Sequence, residues 1–368
     1  MMERILQSPA KYIQEAGLIS SMDEYVQRLG SAPFFIGTAS GIARIEEKLG
    51  MGRGSSEMAF RFGILSGECS KGNISKLLEA AEKAGCDVIV GIGGGKVIDT
   101  AKAVSYYSGK PLIIAPTAAS NDAPCSALSV LYDDNGVFDE YLFMRSNPDM
   151  VLVDTELIAK APVRLTVAGM GDALATYYEA RAVRGAGKNN QLHAKPTMAG
   201  YVIARACHEV LMADGIRAKE DIEAGRITDA VENVIEANIY MSGVGFESGG
   251  LAAAHGIQKG MTLIPELHEA LHGEIVACCL VCQLIMEGAP REELAEVTSF
   301  CRKVGLPVRL SDFGLTGYND ELIEAVARKA CAPGATTFNM PFDLGWRDVR
   351  DAILMADSEA FLAETTGR

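Results

Sequence analysis

The sequence predicts an α/β N-terminal domain over residues 1–160, a doubly wound, mostly parallel, Rossmann-like sheet, and an all-helical C-terminal domain over residues 161–368. Three observations carry this. Short apolar runs alternate with helical patterns in the first part, the signature of a parallel sheet covered by helices. One run ends in a triple glycine and opens at once into a helical pattern, Val88-Ile-Val-Gly-Ile-Gly-Gly-Gly-Lys-Val-Ile-Asp-Thr-Ala-Lys102. After Ala161-Pro162 strand signals nearly vanish and long helical patterns follow one another.

In order along the chain, residues 34–37 and 61–65 read as strands. Residues 73–84 read as a helix, with Ile74, Leu77, Leu78 and Ala81 at helical spacing. Residues 87–92 form a buried strand and 97–107 a helix; 111–115 and 150–154 are further strands. Residues 128–132 and 137–143 flank Asn135-Gly136, a strong hairpin turn pair, and predict a hairpin placed to close over a bound molecule. The second domain reads as helices over 165–184, 194–213, 228–242, 249–261, 274–287, 292–304, 319–331 and 347–363.

Composition narrows the function classes. A length of 368 residues suits two domains, and 48% hydrophobic with 22% charged residues suits a globular chain. No run of eighteen apolar residues and no apolar N-terminal core is present, so neither a membrane span nor a secretory leader is expected. The net charge of −14, with 34 Lys and Arg against 48 Asp and Glu, argues against a nucleic-acid partner, which needs a basic face. Nine scattered cysteines fit a reducing, cytoplasmic setting. Cys278, Cys279 and Cys282 lie in an apolar helix-like run with no second pair at matching spacing, and read as core rather than as metal ligands.

The glycine turn offers close backbone approach and free N–H groups at a helix start, which is a seat for phosphate. A tight structural turn is the alternative. It is not a Walker A loop, because Val97 follows Gly95-Lys96 and Val90 stands at the first glycine position. It is not the standard Rossmann fingerprint either, because Lys96 stands at the third glycine position. A second loop, residues 115–129, supplies Thr117, Ser120 and Ser126 for phosphate or ribose, and Asp122 as an acceptor for hydroxyl groups. The same residues also suit a capped turn.

Of five histidines, His255, His268 and His272 are close in sequence. His255 is surrounded by very small side chains, which leave room beside the imidazole for a metal and a substrate. His268 and His272 have the spacing of a helical metal pair, but Gly273 interrupts the pattern. Asp172, in Ala168-Gly-Met-Gly-Asp-Ala-Leu-Ala-Thr176, reads either as a helix N-cap or as a carboxylate ligand.

Taken together these stretches resemble the glycerol dehydrogenase branch of the iron-containing-type alcohol dehydrogenases, with a dehydroquinate synthase-like fold. The matching segments are Ser8-Pro-Ala-Lys-Tyr-Ile, Gly67-Glu-Cys-Ser70, the glycine turn, Asp122-Ala-Pro-Cys-Ser-Ala-Leu-Ser129, the Asp172 segment, Ser242-Gly-Val-Gly-Phe-Glu-Ser-Gly-Gly-Leu-Ala-Ala-Ala-His255 and His272-Gly-Glu274. They occur in order over nearly the whole chain. The resemblance implies one zinc on Asp172, His255 and His272, with an open position for a hydroxyl. It demotes His268. It implies NAD contacts from Gly93, Gly94, Gly95, Lys96, Asp99, Thr117, Ser120, Ser126, Leu128 and Tyr132, and contact of Asp122 with the substrate hydroxyls. Phe246 is expected beside the site.

The implied reaction is oxidation of glycerol to dihydroxyacetone, or of a related vicinal diol, by hydride transfer to the nicotinamide. Another polyol or a hydroxy acid is the alternative substrate. Iron-dependent relatives carry a further histidine where this chain has Thr176, which favours zinc. Thr38 stands where members often have an acidic residue at the end of the first cofactor strand, which leaves NADP less excluded. A phosphorylated substrate is disfavoured, since residues 168–180 and 243–275 hold only Lys259 as a basic group. A large homo-oligomer is expected.

Overall fold

The computed structural model describes every residue except 1–2, 47, 50–59, 135, 316, 359–360 and 362–368. Two compact units divide the chain: Gln7–Pro162 with Gly225–Ile227, and Met1–Leu6 with Val163–Ala224 and Thr228–Arg368. The first is α/β and the second helical.

In the α/β unit the strands are β1 (Tyr12–Glu15), β2 (Pro33–Gly37), β3 (Arg61–Ile64), β4 (Val88–Gly93), β5 (Leu112–Pro116), β6 (Leu128–Tyr132), β7 (Phe138–Phe143) and β8 (Met150–Asp154). Its helices are α1 (Met22–Val26), α2 (Ala39–Glu46), α3 (Lys71–Lys83), α4 (Gly95–Ser108) and α5 (Thr155–Ala159). Six strands form one sheet in the order β1-β8-β5-β4-β2-β3, every pair parallel. β2, β4, β5 and β8 are buried at every residue, which is why they read as unbroken apolar runs rather than alternating ones. The predicted doubly wound fold is therefore present.

The chain leaves β2 for the edge strand β3 and returns to β4 on the other side of β2. The crevice beyond the carboxyl ends of β2 and β4 is thus the topological switch point, where open α/β sheets bind ligands. The glycine turn follows β4, and Thr38 follows β2. β6 and β7 pair antiparallel as a separate hairpin. Of its predicted turn pair, Asn135 lies outside the described residues; Gly136 adopts φ +80° and its N–H donates to Asp133 O at 3.0 Å.

Two elements escape the sequence pattern. β1 is a half-buried edge strand, Tyr-Ile-Gln-Glu, with no apolar run to mark it. α2 starts because the Thr38 hydroxyl accepts from Gly41 N–H at 3.1 Å, an N-cap bond.

The helical unit comprises α6 (Val163–Gly185), α7 (Met198–Glu223), α8 (Asp229–Glu236), α9 (Ser242–Gly249), α10 (Ala253–Met261), α11 (His272–Met286), α12 (Arg291–Val304), α13 (Asp320–Ala330) and α14 (Trp346–Ala356). α6 packs against α7, α9 and α11. It and α11 are buried nearly all round, so neither shows a polar stripe. A π turn over Ala237–Met241 joins α8 to α9. The predicted helix over 249–261 is interrupted: α9 ends at Gly249, Gly250 takes φ +102°, and α10 restarts at Ala253. Only glycine enters that backbone region cheaply. Helix 347–363 is observed as α14; the outlying residues 359–360 and 362–363 are not described.

Cys278, Cys279 and Cys282 are buried on α11 as core residues. The Cys278–Cys282 hydrogen bond and burial push the Cys278 thiol well above its usual value, and burial does the same for Cys279. Among the described residues no helix is long and apolar enough to cross a membrane.

Asp154, at the end of β8, is 1% exposed and accepts from Gly17, Ile19 and Leu157 N–H, each at 3.0 Å. It ties the turn after β1 to the start of α5. Asp154→Ala strands these donors and removes a cap, so urea unfolding should show a loss of about 2–4 kcal/mol. A loss below about 0.5 kcal/mol would contradict this account.

Candidate functional site

Asp172 lies in the interior of α6 and is 1% exposed, so it is not a helix cap. His255 lies in the first turn of α10, and His272 is the first residue of α11. One ligand atom from each of these three side chains can be drawn within 4.8 Å of the others. Nε2 of His255 and Nε2 of His272 each stand 3.3 Å from Oδ1 of Asp172. The imidazole centroids are 5.5 Å apart. Asp172 and His255 are buried, whereas the His272 side chain is 40% exposed, so the cluster opens on the His272 side. Two imidazoles and a carboxylate with one open side are a donor set that could hold a divalent metal with room for a further ligand.

Glycines make this convergence feasible. A Cβ on Gly273 would fall 1.8 Å from the Ala168 carbonyl oxygen, and one on Gly171 would fall 2.3 Å from the Gly273 carbonyl oxygen. The backbones of α6 and α11 therefore touch beside Asp172 and His272. Gly273, which breaks the apparent His268–His272 helical pair, has this close approach as its reason. His268 ends the preceding 3-10 turn, Pro265–Leu267, and His272 opens the next helix, so the two do not share one.

The start of α11 is held by Glu274. Its Oε2 accepts from Leu271 N–H at 2.8 Å, while Arg164 Nε and Nη2 donate to Oε1 and Oε2 at 2.7 and 2.8 Å. The small residues around His255 turn out to serve packing. Ala252, Ala253 and Ala254 are fully buried, and a Cβ on Gly256 would fall 2.0 Å from Thr337 Oγ1. They let α10 nest among its neighbours.

The electrostatics tie the three donors together. Burial opposes ionisation of Asp172, but the charge of His272 and bonds from both histidines outweigh it and hold the carboxyl well below the usual range. Burial likewise opposes protonation of His255, yet Glu179 and Asp172 raise it well above 6.5. In the metal-free protein the His255 contribution to stability is complete below about pH 6.5 and is lost as pH rises through the raised value. The Asp172 contribution is complete above about pH 3.8 and is lost as pH falls through the depressed one.

Glu179 carries no sequence motif that marks it, although it lies two helical turns beyond Asp172 on the same face of α6. It is fully buried and accepts from His255 Nδ1 at 2.6 Å. Phe246 is buried on α9.

In the α/β unit, Gly93 ends β4, Gly94 precedes α4, and Gly95 and Lys96 form its first turn. A Cβ on Gly93 would fall 2.8 Å from Val97 Cβ, whereas one on Gly94 would meet nothing within 4 Å. Gly93 thus closes the strand–helix turn, and Gly94 borders open space. Thr117 follows β5, and its N–H donates to Gly93 O at 3.1 Å. Lys96 Nζ pairs with Glu68 Oε1 at 2.5 Å.

Asp122 is half-buried ahead of a 3-10 turn, Ala123–Cys125, and Ser120 is half-buried two residues earlier. The loop that follows is fastened from beneath by Lys102 of α4. Its fully buried ammonium donates to Ala123 O at 2.5 Å, Ser126 Oγ at 3.0 Å and Leu128 O at 2.8 Å. Burial pushes the Asp99 carboxyl up to about 7 and the Tyr132 phenol up to about 12.

The parallel α/β unit carries a glycine turn at its switch point, and the helical unit carries the Asp172-His255-His272 cluster; comparison with known proteins places this combination among the alcohol oxidoreductases. Residues 9–155 match the iron-containing alcohol dehydrogenase family. The chain is 45% identical over 356 residues to a glycerol dehydrogenase of Citrobacter freundii, covering 97% of this chain and 98% of that one. It is 46% identical over 353 residues to a glycerol dehydrogenase of Thermotoga maritima, covering 95% of each. The crystal structure of glycerol dehydrogenase from Schizosaccharomyces pombe superimposes with a TM-score of 0.95 and 34% identity, covering 100% of this chain and 94% of that one. The chain belongs to the iron-containing alcohol dehydrogenase family, in its glycerol dehydrogenase branch.

Gly273→Ala must part α6 from α11. Overpacking of this kind costs about 1–3 kcal/mol, and more where backbone is the obstacle. Chemical denaturation should show at least that loss. Wild-type stability for Gly273→Ala would overturn the close-approach account.

Proposed function

We propose that this chain is a zinc- and NAD-dependent dehydrogenase that oxidises glycerol, or a related vicinal diol, to the hydroxyketone. The observation that carries the reading is the convergence of Asp172, His255 and His272 from three helices, in a chain so similar to glycerol dehydrogenases over its full length. Asp172, His255 and His272 would hold the metal. When bound, the metal supplies Lewis acidity toward an alcohol hydroxyl, and the nicotinamide supplies the hydride acceptor. Thr176 adds no imidazole to the donor set; it is buried, and its hydroxyl lies 2.9 Å from that of Ser242. That favours the three-donor zinc reading over iron.

The residues of the chain prepare the rest. Gly93, Gly94 and Gly95 let a pyrophosphate approach the N-terminus of α4, with Lys96 in its first turn. Thr117, Ser120, Ser126, Leu128 and Tyr132 line the adjoining loop and hairpin, and Asp99 backs them from α4; all six are assigned to the cofactor side. Asp122 is assigned to the substrate hydroxyls as an acceptor. Thr38 caps α2 with its hydroxyl, so β2 ends without a carboxylate against a 2′-phosphate. Arg44, the nearest cation in sequence, instead donates to Ser40 O at 3.1 Å. The missing carboxylate admits NADP, and it is the turning of Arg44 back onto its own helix that supports NAD as the preferred cofactor.

The deciding assay follows nicotinamide reduction with glycerol, 1,2-propanediol, 2,3-butanediol and simple hydroxy acids, with NAD or NADP, before and after chelation. Glycerol or another vicinal diol with NAD should be the best pair. Chelation, or His255→Ala, should lower kcat/KM by at least about a thousandfold, the worth of several kcal/mol of Lewis-acid stabilisation. Full activity without metal would sink the mechanism, and NADP turnover equal to that with NAD would sink the cofactor choice.

The raised His255 value gives a second expectation. The metal-free ring holds a proton above pH 6.5, and metal loading must displace it. Apparent zinc affinity should therefore rise about tenfold per pH unit from about pH 6.5 until the raised value is passed. A flat profile across that window would contradict proton–metal competition at His255.

A further inference from the structure

α10 begins without a side-chain cap of its own, since Ala252 is at its N-cap. Its first N–H groups are satisfied from other helices. Ala252 and His255 N–H donate to Glu179 Oε1 at 2.8 and 3.0 Å, and Ala254 N–H donates to Gln283 Oε1 at 2.9 Å. The second oxygen of Glu179 faces Nδ1 of His255 at 2.6 Å. One buried carboxylate from α6 thus holds both the backbone and the ring of the same residue. Its negative charge also suits a helix N-terminus. A carboxylate oxygen only accepts, so Nδ1 of His255 must donate. The ring is then fixed with Nε2 toward Asp172.

We propose that Glu179 is a positioning residue for the metal: it selects the Nδ1–H form of His255 and presents Nε2 as the ligand atom. This rests on the metal reading above. Outer partners that orient ligating histidines in this way typically change metal affinity by about 10–100-fold when altered.

Glu179→Gln separates this role from simple capping. An amide keeps one accepting oxygen, which can stay on the two backbone N–H groups of α10. Its NH₂ group then faces Nδ1, which must accept, and the proton moves to Nε2. The cap survives while the ring is turned to the wrong tautomer.

The test titrates Zn²⁺ into the purified full chain and the variant against a chromophoric chelator, with the Co²⁺ absorption spectrum as a second readout. Zn²⁺ affinity should fall about 10–100-fold in folded Glu179→Gln, with a changed Co²⁺ spectrum. Wild-type affinity and spectrum in the folded variant would overturn the positioning role and leave the metal reading standing. A wild-type chain that binds neither ion would overturn the metal reading itself. If Glu179→Gln does not fold, ¹⁵N-histidine spectra of the metal-free wild type, recorded at a pH high enough that the His255 ring is neutral, decide: a proton on Nδ1 supports the proposal, and one on Nε2 overturns it.

Discussion

The backbone contact between α6 and α11 governs the helical unit. Gly171 and Gly273 face one another with no room for a Cβ on either. That contact places His272, the first residue of α11, beside Asp172 in mid-α6. A longer separation would take His272 away from a buried carboxylate, and burying such a charge with fewer partners is costly. Glycine and cluster residue are therefore one solution: the residue that lets the helices touch adjoins the residue that uses the contact.

The same logic explains α10. A helix starting in the protein interior must satisfy N–H groups that water cannot reach. Glu179 and Gln283 do so from α6 and α11, the helices that carry Asp172 and His272. The framework of the cluster and the cap of α10 are consequently shared, and a change in either helix is felt at His255. The burial of Ala252, Ala253 and Ala254 belongs to this arrangement, since larger side chains would hold α10 away from the caps.

Much of the fold was legible in the sequence because it is written in local patterns. The buried strands β2, β4, β5 and β8 are continuous apolar runs, and the glycine turn marks the passage from β4 to α4. β1 was not legible because an edge strand needs no apolar run, and α2 hides behind a single threonine cap. The break at Gly250 was missed for another reason: a glycine-rich stretch looks alike whether it permits close packing within α9 or a left-handed turn after it. The candidate site was less legible from spacing alone. His268 and His272 had the better pattern, yet they belong to different elements. Asp172 looked like a cap because small residues and an aspartate precede an apolar run in either case.

Glu179 shows where local reading stops. It shares a helical face with Asp172, so spacing could have nominated it, but spacing could not supply its partner. The nomination becomes informative only when α10 is brought alongside and its uncapped N–H groups are counted. Backbone groups that no local side chain satisfies create a demand, and a polar side chain buried elsewhere answers it. Such pairings are invisible one element at a time. Here the answering group also fixes the orientation of an imidazole, so the requirement that closes a helix end and the requirement that aims a ligand fall on the same carboxylate.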